Sequence, residues 1–359
     1  MNGGCDSMQR RDFLHPRNIV EGAAPVVVPF IEDAAPVADP EAVLLRFARN
    51  AMATRFEVVL PMGTPNAHLV GTSALDQIDQ LEQQMTVYRP DSEVSLINAT
   101  AVDEPVVVEL ALFALFADCE RWHRETRGAF DIAVGAIIKA WGFFRREGRV
   151  PSVEKRRAAL EASGMKHVEL DAEAMTIRFA RPGLELNLGA VGKGFALDRV
   201  VRVLRRQWGV SQGLVHGGHS SVFAIGREPG GSRGWPIGLL HPDDPTRRLG
   251  QFRLIDRGLG VSAATHQHFV HEGRKLGHIL DPRTAWPADG IAIAAVTAPT
   301  AAEADALATA FFILGVNPAR EICAKRADIG AALLTRGPKH RLELLGTASR
   351  EFEVDGSVG

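Results

Sequence analysis

Lys193 lies in a glycine-rich stretch, ELNLGAVGKGFALD (Glu185–Asp198), whose residue types suit the binding of a phosphate. Its pattern reads as a short strand (Glu185–Leu188), a turn at Gly189, Gly192 and Gly194, and a helix with Leu197, Val200, Val201, Leu204 and Trp208 on one face. A helix start presents unpaired backbone N–H groups and the positive end of the helix dipole, which together attract anions. Lys193 adds a point charge there, and Asn187 and Asp198 flank the turn. The spacing matches neither the Walker A loop nor the G-x-G-x-x-G fingerprint. A plain strand-to-helix connection with a surface lysine accounts for the same residues, because glycine punctuates turns everywhere.

Asp305 and Thr309 stand four apart on a helix expected over 301–314, so they share a face. A carboxylate with a hydroxyl is hard oxygen ligation, suited to Mg²⁺ that completes its shell with water and substrate phosphates. A solvated helix face is the competing reading. His278 opens HILDPRT beside a turn set by Asp281 and Pro282, either as a general base or as a structural hydrogen-bonder. Tyr88, the sole tyrosine, sits in a polar loop with Arg89 and Ser92; its ring either stacks on a flat heterocycle or packs as a core aromatic. The Gly128–Asp131 bend offers a carboxylate. Gly-x-Ser-x-Gly, His-Glu-x-x-His and Cys-x-x-Cys motifs do not occur.

The elements that must position these groups follow from periodicity. Residues 51–60 alternate Phe56, Val58 and Leu60 against Arg55 and Glu57, which predicts a half-buried strand. Helices are expected over 69–85, 107–126 and 154–163, and a hairpin over 167–170 and 175–179. Two strands flank Gly217-Gly218, and others fall near 237–240, 251–255 and 258–262. A buried strand at 292–298 precedes the 301–314 helix. Strands and helices mix without strict alternation, which points to an α+β fold.

The composition of the 359 residues is that of a core-forming soluble chain, 46% hydrophobic and 23% charged. A net charge of −2 supplies no field for nucleic acid or anionic membrane. Cys5, Cys119 and Cys323 are odd in number and far apart, against a disulfide framework or a cysteine zinc site. No apolar run approaches the ~20 residues of a membrane helix. Arg10, Arg11, Asp12, Phe13 and Leu14 match the core of a twin-arginine export signal, but the apolar region such a signal needs does not follow. Residues 1–45 are therefore expected as a disordered leader, with a degenerate export signal as the alternative. A single domain over 46–345 and a tail over 346–359 complete the division.

Several of these segments, in order, resemble the FAD:protein FMN transferase (ApbE-like flavin transferase) family. They are AMATRF, MTVYRPDSEVSLIN, GAFDIAVGAIIKAWGF, LNLGAVGKGFALD, LVHGGH, HILDPRT and AEADALATAFFILG. The resemblance implies an α+β, T-fold-like domain with mixed or antiparallel sheets and packed helices, two lobes flanking a flavin cleft. It implies a Mg²⁺-dependent enzyme that takes FAD as substrate, transfers FMN to a threonine of an acceptor protein and releases AMP. By position, Met52, Tyr88, Ala129, Phe130, Asp131, Asn187, Lys193 and Leu280 would contact FAD. Ala190 (through its carbonyl), Asp305 and Thr309 would hold the metal, and His278 would help deprotonate the acceptor threonine. The partners implied are FAD and the acceptor protein, with no nucleic acid and a membrane only through the acceptor. The chain departs from the family pattern at Asn187, His219, Ser262–His266, Ala285 and Ala308. Those departures keep two alternatives open: a flavin-binding carrier or sensor, and a FAD pyrophosphatase.

Overall fold

The computed structural model describes residues 43–355 except 146, 264–267 and 338–339, so residues 1–42 of the expected leader lie outside it. The described residues open with a hairpin of β1 (Leu44–Ala51) and β2 (Thr54–Pro61). Helices α1 (Ala67–Met85) and α2 (Glu93–Thr100), strand β3 (Val106–Val107), and helices α3 (Leu110–Glu125), α4 (Gly135–Ala140) and α5 (Val153–Glu161) follow. The hairpin of β4 (Val168–Asp171) and β5 (Thr176–Phe179) takes β3 as a third strand. After α6 (Gly192–Trp208) come β6 (Gly213–Gly217), β7 (Ser221–Ile225), β8 (Trp235–His241), β9 (Asp244–Leu254) and β10 (Arg257–Ala263). Two small hairpins follow, β11 (His268–His271) with β12 (Arg274–Gly277) and β13 (Leu280–Asp281) with β14 (Trp286–Pro287). The rest is β15 (Ile291–Ala298), α7 (Ala301–Leu314), α8 (Val316–Lys325), β16 (Gly330–Thr335), β17 (Leu342–Gly346), α9 (Ala348–Glu351) and β18 (Phe352–Val354).

An eight-stranded sheet in the order β1-β2-β6-β7-β10-β15-β16-β17 forms the spine, and each neighbouring pair is antiparallel. Successive side chains of a strand point to opposite faces, and here both faces are covered. Val58, Val215, Phe223 and Val296 face the helices. Val59, Leu214, Val222 and Ala295 face the three-stranded sheet β18-β9-β8. That double burial explains why β15 is buried along its whole length.

It also corrects the half-buried reading of residues 51–60. Phe56 through Leu60 are all buried, and the strand starts at Thr54. Glu57 is tolerated because Arg46, Arg55 and His216 surround its carboxylate, the His216 hydrogen bond above all holding its pKa down at about 2. Two further expectations change. The α3 helix begins at Leu110, because Glu109 accepts from the N–H groups of Ala111 and Leu112 while Val106 and Val107 pair with β5. The 346–359 tail contributes α9 and β18, since Phe352 pairs with Phe252 of β9.

Helix α7 is the buried axis of the helical layer, apolar or small over almost all its length. Thr300 caps it, accepting from the Glu303 N–H at 3.2 Å. Its backbone lies directly on two others. A Cβ on Gly194 of α6 would sit 2.2 Å from the Ala301 carbonyl oxygen, and one on Gly260 of β10 would sit 2.5 Å from the Ala304 backbone. Neither obstacle is a flexible side-chain end, so the methyl cannot be absorbed locally. Gly194→Ala is therefore expected to lose ~3 kcal/mol or more of stability. Gly63→Ala, at an exposed position with nothing within 4 Å of the new methyl, should stay within ~0.5 kcal/mol. Urea unfolding followed by circular dichroism measures both; equal midpoints for the two variants would show that the close approach is not required.

Candidate functional site

Helix starts leave their first N–H groups without intrahelical partners. Helices α6 and α7 satisfy each other's. The Gly194 N–H in the first turn of α6 donates to Asp305 Oδ2 of α7 at 2.8 Å. In return, Asp198 of α6 accepts from the Ala301 and Ala302 N–H groups at 2.8 and 2.9 Å. Asp305 also accepts from the buried Ser221 hydroxyl, at 2.8 and 2.9 Å to its two oxygens. Burial pushes the Asp305 carboxyl up to about 6, against the nearby positive charge of Lys193 and the Ser221 and Gly194 bonds. Burial likewise pushes Asp198 up to about 7, opposed by its two backbone bonds.

The stretch leading into α6 is held from both sides. Glu185–Leu188 does not form a strand, which corrects the sequence reading. Its bonds are scattered: Asn187 N–H to the Ile132 carbonyl, Gly135 N–H to the Glu185 carbonyl, and a two-way pair between Asn98 and Leu186. The Asn187 side chain accepts from the Gly189 N–H at 2.9 Å, a local turn that shapes the loop before Ala190.

A cleft of ≈ 470 Å³ opens where these elements meet, with Asn187, Ala190, Lys193, Asp305 and Thr309 on its walls. The strand end of β10 adds Ser262, whose hydroxyl lies 3.2 Å from that of Thr309. Ala129, Phe130 and Asp131 line it from the loop after α3, and Val134, Ile137 and Phe143 give it an apolar wall. His278 comes from the bend between β12 and β13, and Leu280 from the start of β13. That turn is rigid: Asp281 accepts from the Ala285 N–H at 2.8 Å and pairs with Arg283, and Trp141 Nε1 donates to the Ala285 carbonyl at 2.9 Å. Ala285 takes a left-handed φ of 50° there, where glycine would be unstrained.

Tyr88 also lines the cleft; it is 68% exposed and stacks on Phe144 with centroids 4.8 Å apart. It is thus a surface ring beside the cleft, not a core aromatic. Asp131 is buried, and its carboxylate is already engaged by the Ala133 and Met165 N–H groups and by His123. It therefore serves as wall and anchor. Burial works against a charged His123, yet the Asp131 contact prevails and raises its pKa above the ordinary value. Met52 alone of the expected site residues does not line the cleft. It sits at φ 49° in the β1–β2 turn, its N–H bonded to Glu82 at 2.7 Å. Ala264–His266, among the departures from the family pattern, lie outside the described residues.

The ApbE family model matches residues 52–333 of this chain. The chain belongs to the ApbE family. The FAD:protein FMN transferase of Treponema pallidum is 31% identical over 261 residues, covering 68% of this chain and 72% of the relative. That of Klebsiella pneumoniae is 30% identical over 261 residues, covering 72% and 80%. Among solved structures, the ApbE protein of Thermotoga maritima superposes with a TM-score of 0.79 at 26% identity, over 87% of this chain and all of that one. The Pseudomonas stutzeri flavinyl transferase ApbE, apo form, gives 0.76 at 25% identity, over 87% and 97%. The ApbE-family fold is accordingly α+β with antiparallel sheets and packed helices, as its pattern of strands and helices predicts.

Sequence reasoning missed Ser221 and Ser262, the hydroxyls behind Asp305 and Thr309, and the partner of Asp198. Ser221 was visible as the first residue of a strand after Gly217-Gly218, but its partner is 84 residues away. Among the described residues no three His, Cys, Asp or Glu side chains gather as a metal site. Asp305 instead supplies a lone buried carboxylate. Its native pKa of about 6 stands above the ordinary 3.8, so ionising it costs stability as pH rises through that window. Asp305→Asn keeps an acceptor for Gly194 and a partner for Ser221. In chelator, the variant is expected to be ~1–3 kcal/mol more stable than wild type above pH 6 and equal to it near pH 4. Unfolding titrations across pH measure this; a variant less stable at pH 7 would contradict it.

Proposed function

We propose that this chain is a Mg²⁺-dependent FAD:protein FMN transferase that moves FMN from FAD to a threonine of an acceptor protein and releases AMP. The observation that carries the reading is that Lys193, Asp305, Thr309 and His278 line one cleft in an ApbE-family chain. In this reading the fold is T-fold-like, its two lobes flanking the flavin. FAD rests against Tyr88, Ala129, Phe130, Asp131, Asn187, Lys193 and Leu280. Met52 is not carried into it, because it does not line the cleft.

The donor set fits a hard cation. Asp305 is buried without a cationic hydrogen-bond partner, and the Thr309 hydroxyl lies one turn further along α7. The Ala190 carbonyl is the third ligand assigned. When bound, Mg²⁺ neutralises the diphosphate and polarises a phosphoryl oxygen. Lys193 gives the diphosphate a second positive partner, in a setting fixed before substrate arrives. His278 takes the proton of the acceptor threonine as its Oγ attacks the FMN phosphorus. The bond from that phosphorus to the bridging oxygen breaks, and the bridging oxygen leaves with AMP and its electron pair.

The test uses the full chain with FAD, Mg²⁺ and threonine-bearing acceptor proteins, scored by covalent flavin fluorescence and AMP release. His278→Ala should slow transfer ~10²–10⁴-fold while leaving FAD affinity unchanged, whereas Lys193→Ala should weaken both. Recovery of intact FAD with every acceptor tried would leave a flavin-binding carrier or sensor. AMP release without any acceptor would make the chain a FAD pyrophosphatase.

A further inference from the structure

A second cleft, of ≈ 580 Å³, shares only Asp131 and Pro282 with the flavin cleft. The turn after α3, the short 3-10 turn Met165–His167 after α5, the segment following β5 and the β13–β14 turn bring Arg127, Lys166, Arg181 and Arg283 to its walls. Two carboxylates also line it, and neither neutralises these cations. Asp131 is occupied by backbone N–H groups and His123, and Glu161 pairs with Arg157. Arg127 and Arg283 are partly offset by Glu321 and Asp281. Lys166 and Arg181 have no carboxylate within ion-pair distance among the described residues. Among the described residues, Arg181 makes one long hydrogen bond, 3.4 Å to the Glu161 carbonyl.

Two further observations bear on what this cleft would bind. His167, on the same wall, has its pKa lowered by burial and then by Arg181 and Lys166, with the Asp131 carboxylate opposing them only in part. Ser163 is only 5% exposed and lines the cleft, and its hydroxyl has no hydrogen-bond partner among the described residues. A buried hydroxyl without a partner is uncommon in folded proteins. The cations that line the same cleft repel one another, and an anion between them would relieve that repulsion.

We propose that this cleft binds a phosphate dianion, separately from the flavin cleft. Arg181 supplies a planar pair of donors suited to phosphate oxygens and Lys166 a mobile point charge. The site stands apart from the transferase reading and survives its failure. The same chemistry is offered by inorganic phosphate and by the phosphate of a nucleoside monophosphate, so both serve as probes.

The experiment is calorimetric titration of the full chain with inorganic phosphate and, in a second arm, with AMP, at low ionic strength. Saturable one-to-one binding is expected, weakened ~10-fold or more in Lys166→Ala/Arg181→Ala. Saturation with FAD beforehand should leave it unchanged. Tighter binding of AMP than of phosphate would assign the cleft to a nucleotide; equal binding would assign it to the phosphate group alone. Unchanged FAD affinity in the double variant checks that it is folded. Equal phosphate affinity in variant and wild type, or displacement of phosphate by FAD, would overturn the proposal.

Discussion

Two helix starts that cap one another hold the site of this protein in place. Asp305 of α7 takes the Gly194 N–H of α6, and Asp198 of α6 takes the first two N–H groups of α7. Each carboxylate sits where the other helix's dipole is positive, which favours its negative charge. Neither helix can slide or turn without stranding buried polar groups on both. Lys193 and Asp305 therefore keep a fixed relation, set by backbone geometry. The approach this needs is possible because Gly194 carries no side chain against Ala301.

The same contact imposes a cost that function can use. Asp305 is buried deeply enough for its carboxyl to resist ionisation up to about 6. A cation bound beside it, as the proposed function requires, would relieve that. Other anchors steady the helices. Buried Glu303 accepts from Trp122 at 3.0 Å and from Arg326 at 2.9 Å, which ties α7 to α3 and α8. On the opposite wall, Asp131 and the Trp141–Ala285 bond hold the loops that carry Phe130 and Leu280. The cleft is thus lined by elements that each have their own tether to the core.

Local chemistry was readable where it was local. The 301–314 helix, the 168–179 hairpin and the Gly217-Gly218 bend all declare themselves through periodicity or turn residues. Lys193, Asp305, Thr309 and His278 could be named from spacing and resemblance, and they share a cleft. What could not be read depended on distant partners. Asp198 looks like any polar residue on a helix until Ala301, 103 residues later, is seen to end at its carboxylate. Glu185–Leu188 reads as a strand from its alternating apolar residues, yet its backbone partners are a loop and the Asn98 side chain. Alternation in β2 suggested one wet face, but a second sheet covers it, which no short window reveals. Met52 belongs to a motif of the family while its backbone serves a hairpin turn.

The central claim is that Lys193 and Asp305 act on one diphosphate, brought together by the paired helix starts. A double-mutant cycle on FAD affinity measured in Mg²⁺, using Lys193→Ala, Asp305→Asn and the double variant, addresses it most directly. The account predicts that the two losses are not additive, with a coupling of ~1.4 kcal/mol or more, a tenfold effect. Losses that simply add would mean that the two groups act on separate ligands, and would contradict it.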